Sequence, residues 1–222
     1  MNYLIFDSGP LINFSMNGSL YLLRRLKKVF NGKFLITEKV KTETIDYPKK
    51  IARFELGALE LEGLFNEEII ELPDLTQNQK EELRKKTEEI LSLANSIYTI
   101  KGKNLHLIDE GEATTLALSE ILGITNVVIA VDERTLRMLC ENPENLRKLL
   151  QKKLHTNVNA NRENYAFFKK FKIIRSTELV YIAGKKKLFD LKNSRILIAM
   201  LYAMKFKGCS VSEQEIQQMA KM

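Results

Sequence analysis

The sequence is poor in the side chains that most often bind soft metals or act as nucleophiles. Its 222 residues include two histidines, two cysteines and no tryptophan. Cys140 and Cys209 cannot form a disulfide framework and lack the spacing of a thiolate metal site, so we expect two reduced, partly buried thiols. A metal site in this chain would therefore use oxygen ligands, which hard divalent cations prefer.

Long apolar runs are also missing. No stretch approaches the about 20 apolar residues that span a bilayer, so we expect no membrane partner. The N-terminus enters a predicted strand at once, without the charged and apolar regions of a signal peptide, and we expect a cytoplasmic protein. A hydrophobic content of 45% is ordinary for a globular chain. The length suits one domain, or one domain with an appended helical piece.

Charge of one sign is in excess. The chain carries 35 lysines and arginines against 28 acidic residues, a formal net charge of +7. Basic residues cluster around Arg24, Arg147, Lys169 and Lys185. Such a balance favours polyanionic partners such as nucleic acid, although a solvated lysine-rich face has the same composition.

Apolar periodicity predicts an α/β fold with a parallel sheet, because short β-rich runs alternate with helical stretches. The clearest predicted strands are residues 3–6, 33–36 and 127–131, and weaker extended runs are residues 68–72, 105–108 and 172–175. Helices are predicted over residues 51–65, 76–97, 110–122 and 177–188, with N-caps at Thr37 and Thr76. The C-terminal part is predicted to be a helical hairpin that turns at Gly208, with Ser212 capping the last helix.

Four acidic residues lie at the ends of predicted strands or in the helices that follow: Asp7, Glu43, Glu112 and Asp132. Side chains at the carboxyl ends of parallel strands converge on one crevice, where four carboxylates would need a divalent cation to offset their repulsion. Each acid alone has a structural interpretation, such as a helix N-cap for Asp7 or a solvated helix residue for Glu43. Asp109 and Glu110 are further candidate ligands, or they stabilise a helix N-terminus. Asp132 and its neighbour Glu133 compete for the fourth place.

Taken in order, these segments resemble the PIN-domain nuclease family, in particular its small prokaryotic branch related to the toxins of toxin–antitoxin systems. The resemblance rests on short motifs: Phe6-Asp7-Ser8-Gly9-Pro10-Leu11-Ile12, Thr37-Glu38-Lys39-Val40-Lys41-Thr42-Glu43, Glu110-Gly111-Glu112-Ala113-Thr114-Thr115-Leu116-Ala117-Leu118, Val131-Asp132-Glu133-Arg134-Thr135-Leu136-Arg137, Ile174-Arg175-Ser176-Thr177-Glu178-Leu179-Val180 and the C-terminal turn Gly208-Cys209-Ser210-Val211-Ser212. The chain departs from the family at Val131, where a threonine or serine is common, and in a basic insertion at about residues 142–171.

The resemblance implies a three-layer α/β/α domain over residues 1–188 and a C-terminal helical extension over residues 189–222 that packs on it. It also implies a pocket for Mg²⁺ or Mn²⁺ in which Asp7, Glu43, Glu112 and Asp132 hold the metal or its waters. Ser8 would support the first acid, and Glu133 would replace Asp132 if the register shifts by one residue. The implied reaction is metal-assisted hydrolysis of RNA phosphodiester bonds by an endoribonuclease.

We expect the substrate RNA to contact Lys169, Lys170, Lys172 and Arg175. One alternative is a non-catalytic RNA-binding or assembly module, in which Tyr165, Phe167 or Phe168 would stack on bases unless they pack locally. Another is a toxin held by an antitoxin partner. The C-terminal hairpin could bind such a partner, form a homodimer, or complete the core.

Overall fold

The computed structural model describes residues 1–221, which divide into two compact units. Unit 1 comprises residues 1–73, 130–133 and those from Ile174 onward, and unit 2 comprises Asp74–Ile129 and Arg134–Ile173. The α/β class is confirmed by a parallel four-stranded sheet flanked by helices. None of the helices within residues 1–221 has the length and apolar character that crossing a bilayer requires.

The parallel sheet has four strands in the described part of the chain. Its strands are β1 (Asn2–Phe6), β2 (Gly32–Ile36), β5 (Val127–Ala130) and β7 (Ile173–Ile174). Their spatial order is β2-β1-β5-β7, and β1 and β2 pair in parallel from Asn2 opposite Gly32 to Phe6 opposite Ile36. Ile5, Phe6 and Ile36 are fully buried, because both faces of a parallel sheet are covered.

The helices of unit 1 follow strands of the sheet or form the C-terminal part of the chain. They are α1 (Ser8–Met16), α2 (Tyr21–Val29), α3 (Glu38–Lys41), α4 (Ala52–Asn66), α10 (Ser176–Lys185), α11 (Ile196–Phe206) and α12 (Glu213–Lys221). The predicted hairpin is confirmed: α11 packs against α12, and Gly208 adopts a positive φ of 123° between them. The Ser212 hydroxyl caps α12 by accepting from Glu215 N at 3.2 Å.

Unit 2 contains helices and a second, antiparallel sheet. The helices are α5 (Gln77–Asn95), α6 (Glu110–Ile121), α7 (Arg134–Glu141), α8 (Pro143–Leu154) and α9 (Tyr165–Lys169). The sheet has the order β4-β3-β6 and consists of β3 (Tyr98–Ile100), β4 (Lys103–Asn104) and β6 (Asn159–Ala160). The segment interpreted as an insertion therefore folds into α8, β6 and α9.

Two of the segments predicted to be extended, residues 68–72 and 105–108, do not form regular strands. Residues 68–72 make one isolated bridge, between Glu71 and Leu35, because Glu68 turns the chain with a φ of 55° at the end of α4 and Pro73 follows. Residues 105–108 lie outside the strands: the Leu105 N–H donates to Tyr98 O at 2.9 Å, but the Leu107 and Ile108 N–H groups donate to the Asn95 side chain, at 2.6 and 3.1 Å.

Candidate active site

Asp7 and Asp132 are the two predicted acids that the structure brings together. Asp7 follows β1 and Asp132 lies two residues beyond β5, and the Asp7 N–H donates to Ala130 O at 3.0 Å. Both are buried, with 7% and 3% of their surface exposed. The two strands are neighbours in the sheet, so their carboxyl ends place both acids at one edge of it.

Gly9 lies against both acids in the first turn of α1. A Cβ built at Gly9 would stand 3.6 Å from Asp132 Cβ and 3.7 Å from Asp7 Oδ2. The glycine N–H also contacts Asp7, donating to Oδ2 at 3.5 Å, which makes Asp7 the N-cap of α1. A glycine at this position therefore keeps the space beside the two carboxylates free of a side chain.

Asp132 accepts hydrogen bonds from two neutral donors. Asn13 Nδ2 donates to Oδ2 at 2.9 Å, and the backbone N–H of Ser176 donates to Oδ1 at 2.8 Å. Asn13 is 1% exposed, and it is not among the site residues predicted from the sequence. The signal was present, since an amide interrupts the apolar run Leu11-Ile12-Asn13-Phe14 directly after the first acidic motif.

The Cys209 thiol lies close enough to Asp132 for the two to interact electrostatically. Burial, reinforced by the negative charge of Asp132, raises the pKa of Cys209 to about 11. At neutral pH the group is therefore a protonated thiol rather than a thiolate. The donor atoms offered here are carboxylate oxygens, which suit Mg²⁺ or Mn²⁺.

The other predicted residues of unit 1 occupy different settings. Glu43 is half-buried in a π-helical turn, Thr42–Asp46, that packs against α1. Glu133 is exposed, whereas Asp132 points into the protein. Ser8 is half-buried as the first residue of α1. Its predicted support of Asp7 stays a prediction, as do the ligand roles of Glu43 and Glu133.

Glu112 belongs to unit 2, where it caps α6. Its carboxylate accepts from Asp109 N at 3.0 Å, while Asp109 accepts from Glu112 N at 3.0 Å, a reciprocal capping box. Burial raises the pKa of Cys140, and the charges of Glu141 and Glu112 add to the effect. Among residues 1–221, no group of three or more His, Cys, Asp or Glu side chains is arranged to hold a metal ion. Asp7 and Asp132 are predicted acids that both lie beside Gly9.

The lysines predicted to contact RNA differ in their surroundings. Lys169 is exposed at the end of α9. Lys170 forms an ion pair with Glu120, and its amine stands 3.7 Å from the centroid of the Phe167 ring. Lys172 is exposed, and its amine donates to Thr125 O at 2.9 Å.

Arg175 lies in an internal network and not on an open basic surface. It is 7% exposed, and its guanidinium binds Glu178, Glu215 (2.8 Å) and Ser210 O (3.0 Å). Burial opposes its charge, but the two carboxylates outweigh this and raise the pKa of Arg175 further. The RNA contact predicted for Arg175 is therefore not supported by its position.

The aromatic residues proposed to stack on bases are mostly packed. Phe168 is fully buried and Tyr165 is 8% exposed. Phe167 is half-buried, and its ring centroid lies 5.1 Å from that of Phe168 and 5.8 Å from that of Phe171. Tyr165 and Phe168 therefore belong to the core of unit 2, as the local-packing alternative expects, and their rings are not presented to a base.

Comparison with known proteins gives one match. A family model described as a PIN domain matches residues 3–170, about three-quarters of the chain, and includes Asp7, Glu43, Glu112 and Asp132. No curated protein and no solved structure matches the chain significantly. PIN domains are generally nucleases, which hydrolyse phosphodiester bonds. Residues 3–170 carry this family's model, and the chain belongs to the PIN-domain family.

Proposed function

We propose that the protein is a Mg²⁺- or Mn²⁺-dependent endoribonuclease that hydrolyses RNA phosphodiester bonds at the strand-end acids. The observation that carries the proposal is the buried pair Asp7 and Asp132, which lies at the ends of neighbouring parallel strands on either side of Gly9. Membership of a family of nucleases supports the reaction class. The net charge of +7 supports a polyanionic substrate.

The surroundings of Asp132 favour a bound cation. Its two hydrogen-bond donors, the Asn13 amide and the Ser176 N–H, are neutral, so they orient the carboxylate without adding a positive charge beside it. A second buried carboxylate, Asp7, adds negative charge beside it. Mg²⁺ commonly binds through one or two carboxylates and completes its shell with water and substrate phosphates, so this donor set fits it.

The residues at the two strand ends have distinct roles. Asp7 and Asp132 hold the cation, Asn13 and the Ser176 N–H orient Asp132, and Gly9 leaves room for the substrate phosphate. Glu43 and Glu112 are further ligands, either direct or through water, as the family resemblance implies. When bound, the divalent cation would polarise the phosphodiester and lower the pKa of an attacking water.

The proposed RNA-binding surface is centred on Lys169, with Lys172 beside it. Both are exposed, and phosphate contacts from such lysines are the main source of salt-dependent affinity. Lys170 contributes less because Glu120 neutralises it. Arg175 is left out of this surface because two carboxylates and a carbonyl already occupy its guanidinium.

The experiment is cleavage of structured and single-stranded RNA, with Mg²⁺, with Mn²⁺ and with EDTA. We expect the wild type to cleave only with the cation, and Asp7→Asn and Asp132→Asn to lose cleavage because each removes a ligand charge. Glu133→Gln is the matched control, since it changes the exposed neighbour of Asp132 and should cleave like the wild type. Glu43→Gln and Glu112→Gln test the remaining two acids separately.

Equal cleavage by all variants, or no cleavage by the wild type over a range of RNA and salt, would reject the proposal. Loss of cleavage in Glu133→Gln with retention in Asp132→Asn would assign the fourth acid to Glu133. RNA binding by the wild type without cleavage would favour the non-catalytic RNA-binding module.

A protein partner, either an antitoxin or a second copy of the chain, is proposed for the apolar side of α11. A cavity of about 440 Å³ lies there, lined mainly by Leu191, Ile196, Ile198, Ala199 and Tyr202. Light scattering after size-exclusion chromatography would report a dimer, and Ile198→Glu should convert that dimer to a monomer. A monomeric wild type would exclude the homodimer.

A further inference from the structure

We infer that Asn13 is a positioning residue for Asp132, and that Asn17 together with α11, which lies outside the matched PIN model, sets the orientation of Asn13. This inference rests on the proposed metal site, and it assigns part of the control of metal binding to the C-terminal helices. The residues involved belong to unit 1: Asn13, Asn17, Asp132, Ser176 and the end of α11.

The orientation of the Asn13 amide is fixed by its neighbour one turn later. Asn17 Nδ2 donates to Asn13 Oδ1 at 2.9 Å, so the carbonyl side of the Asn13 amide faces Asn17. The NH₂ side must then face Asp132, where Nδ2 stands 2.9 Å from Oδ2. Asn17 thereby ensures that Asn13 presents a donor, and not an acceptor, to the carboxylate.

The two hydrogens of the Asn13 NH₂ group have two close acceptors. One is Asp132 Oδ2 at 2.9 Å, and the other is Met204 O in the last turn of α11 at 3.0 Å. Ser176 Oγ is farther away, at 3.3 Å. The amide therefore bridges the acid and α11, and its position depends on both.

The C-terminal helices hold the same acid from a second direction. The Ser210 N–H, in the turn between α11 and α12, donates to the backbone O of Asp132 at 3.1 Å. Asn17 Nδ2 also donates to Ala203 O in α11 at 3.3 Å. The family model ends at residue 170, so residues 203–210 act on Asp132 from outside the matched region.

Burial is the reason why loss of the hydrogen bond between Asn13 and Asp132 should have a large effect. Asn13 is 1% exposed and Asp132 is 3% exposed, so neither can exchange its partner for water. Removing the Asn13 donor would leave Asp132 Oδ2 without this buried partner and would release the carboxylate from its fixed orientation. Partners that orient metal ligands typically change metal affinity or activity by about 10- to 100-fold when they are mutated.

The test measures Mn²⁺ binding by isothermal titration calorimetry in the full chain. For Asn13→Leu we expect the Mn²⁺ dissociation constant to rise about 10-fold. We expect RNA cleavage by this variant to recover at saturating Mn²⁺, with KM for RNA unchanged, because the missing contact acts through the metal ligand. A purely structural role would lower the melting temperature and would not be corrected by added metal.

Ser19→Ala is the matched control. Ser19 is 1% exposed and its hydroxyl donates to Phe14 O at 3.0 Å, a buried bond near α1 that touches no acid. This control should bind Mn²⁺ like the wild type. If Asn13→Leu fails to fold, Asn17→Leu decides: it keeps Asn13 but frees the amide to rotate, and it should weaken Mn²⁺ binding to a smaller extent.

The outcomes separate the inference from the function on which it rests. Wild-type affinity in Asn13→Leu, or in Asn17→Leu where the first variant is unfolded, overturns the positioning role and leaves the proposed nuclease intact. Absence of Mn²⁺ binding and cleavage in the wild type overturns both.

Discussion

Two buried charged residues contact the start of α10, Asp132 through the Ser176 N–H and Arg175 as the residue before the helix, and their partners are of opposite kinds. Asp132 is 3% exposed and accepts from the neutral Asn13 amide and the Ser176 N–H. Arg175 is 7% exposed and binds two carboxylates, Glu178 and Glu215, and a carbonyl. Residues 175 and 176 are adjacent, so the same turn supports both charges.

This difference separates a structural charge from one that is available for chemistry. A buried ion that is paired and fully hydrogen-bonded holds elements together, here α10 and α12. The two donors to Asp132 are a neutral amide and a backbone N–H, so neither adds a positive charge that would compete with a cation. Burial alone would have made the two residues look alike.

The largest expected effect is on RNA cleavage, which should depend on Asp132 and not on Arg175. Asp132→Asn should lower kcat for RNA cleavage by about 1,000-fold, equivalent to about 4 kcal/mol of lost transition-state stabilisation. The free energy of unfolding should change by only about 1 kcal/mol, because one hydrogen bond at the carboxylate becomes mismatched. Steady-state cleavage and urea unfolding of the same preparation check both values. Comparable losses of activity in Arg175→Met would remove the distinction.

The next effect is on stability. Arg175→Met should lower the free energy of unfolding by about 2 kcal/mol, less than the about 3 to 5 kcal/mol of a fully buried pair, because Glu178 and Glu215 can regain water. We expect RNA affinity and kcat to match the wild type once unfolding is taken into account. Reduced RNA affinity in folded Arg175→Met would instead support the RNA contact predicted from sequence.

Glu215, which binds the Arg175 guanidinium, predicts that the stability of the fold depends on pH. Burial opposes ionisation of Glu215, but hydrogen bonds from Ser212 and the Arg175 guanidinium lower its pKa from 4.5 to about 2. A lowered folded-state pKa stabilises the fold above pH 4.5, and this contribution is lost as the pH falls towards 2.

Glu215→Gln isolates this contribution. Because the Glu215 side chain is 38% exposed, solvent screening limits it to about 1 kcal/mol. The difference in unfolding free energy between wild type and Glu215→Gln should be full at pH 6 and should close as the pH approaches 2. Glu144 also has a pKa of about 2, lowered by Arg147 and Arg162, so the wild type alone cannot isolate Glu215. A difference that is constant with pH would contradict the assignment.

The smallest expected effect concerns the exposed lysines. Lys169→Gln should weaken RNA binding and reduce the slope of log affinity against log salt by about 1, because one phosphate contact is lost. Lys170→Gln is the matched control: its charge is paired with Glu120, so the slope should change less. Filter binding over a range of salt concentrations gives both slopes. Equal slopes for the two variants would mean that pairing does not distinguish them.

The sequence was sufficient for the parts of the site that depend on strands. Apolar runs ending in Asp7 and near Asp132 predicted two strands of a parallel sheet, and the structure has both, with the two acids beside Gly9. Gly208 and Ser212 likewise marked the C-terminal hairpin, because a positive φ and an N-cap have local sequence signatures.

Contacts between side chains that are far apart in the sequence could not be predicted in the same way. Asn13 and Asp132 are 119 positions apart, and an amide in an apolar helix gives no indication of its partner. Arg175 looked like the neighbouring lysines because sequence records charge but not burial or pairing. Glu112 forms a capping box, which has the same local sequence as a ligand at the start of a helix.

The most direct test of the central account is a crystal of the protein soaked in Mn²⁺, with anomalous diffraction recorded at the manganese edge. We predict an anomalous peak about 2.0 to 2.4 Å from carboxylate oxygens of both Asp7 and Asp132, beside Gly9, and loss of that peak in Asp132→Asn crystals. A peak bound elsewhere, or none beside these two acids while RNA cleavage persists, would contradict the account.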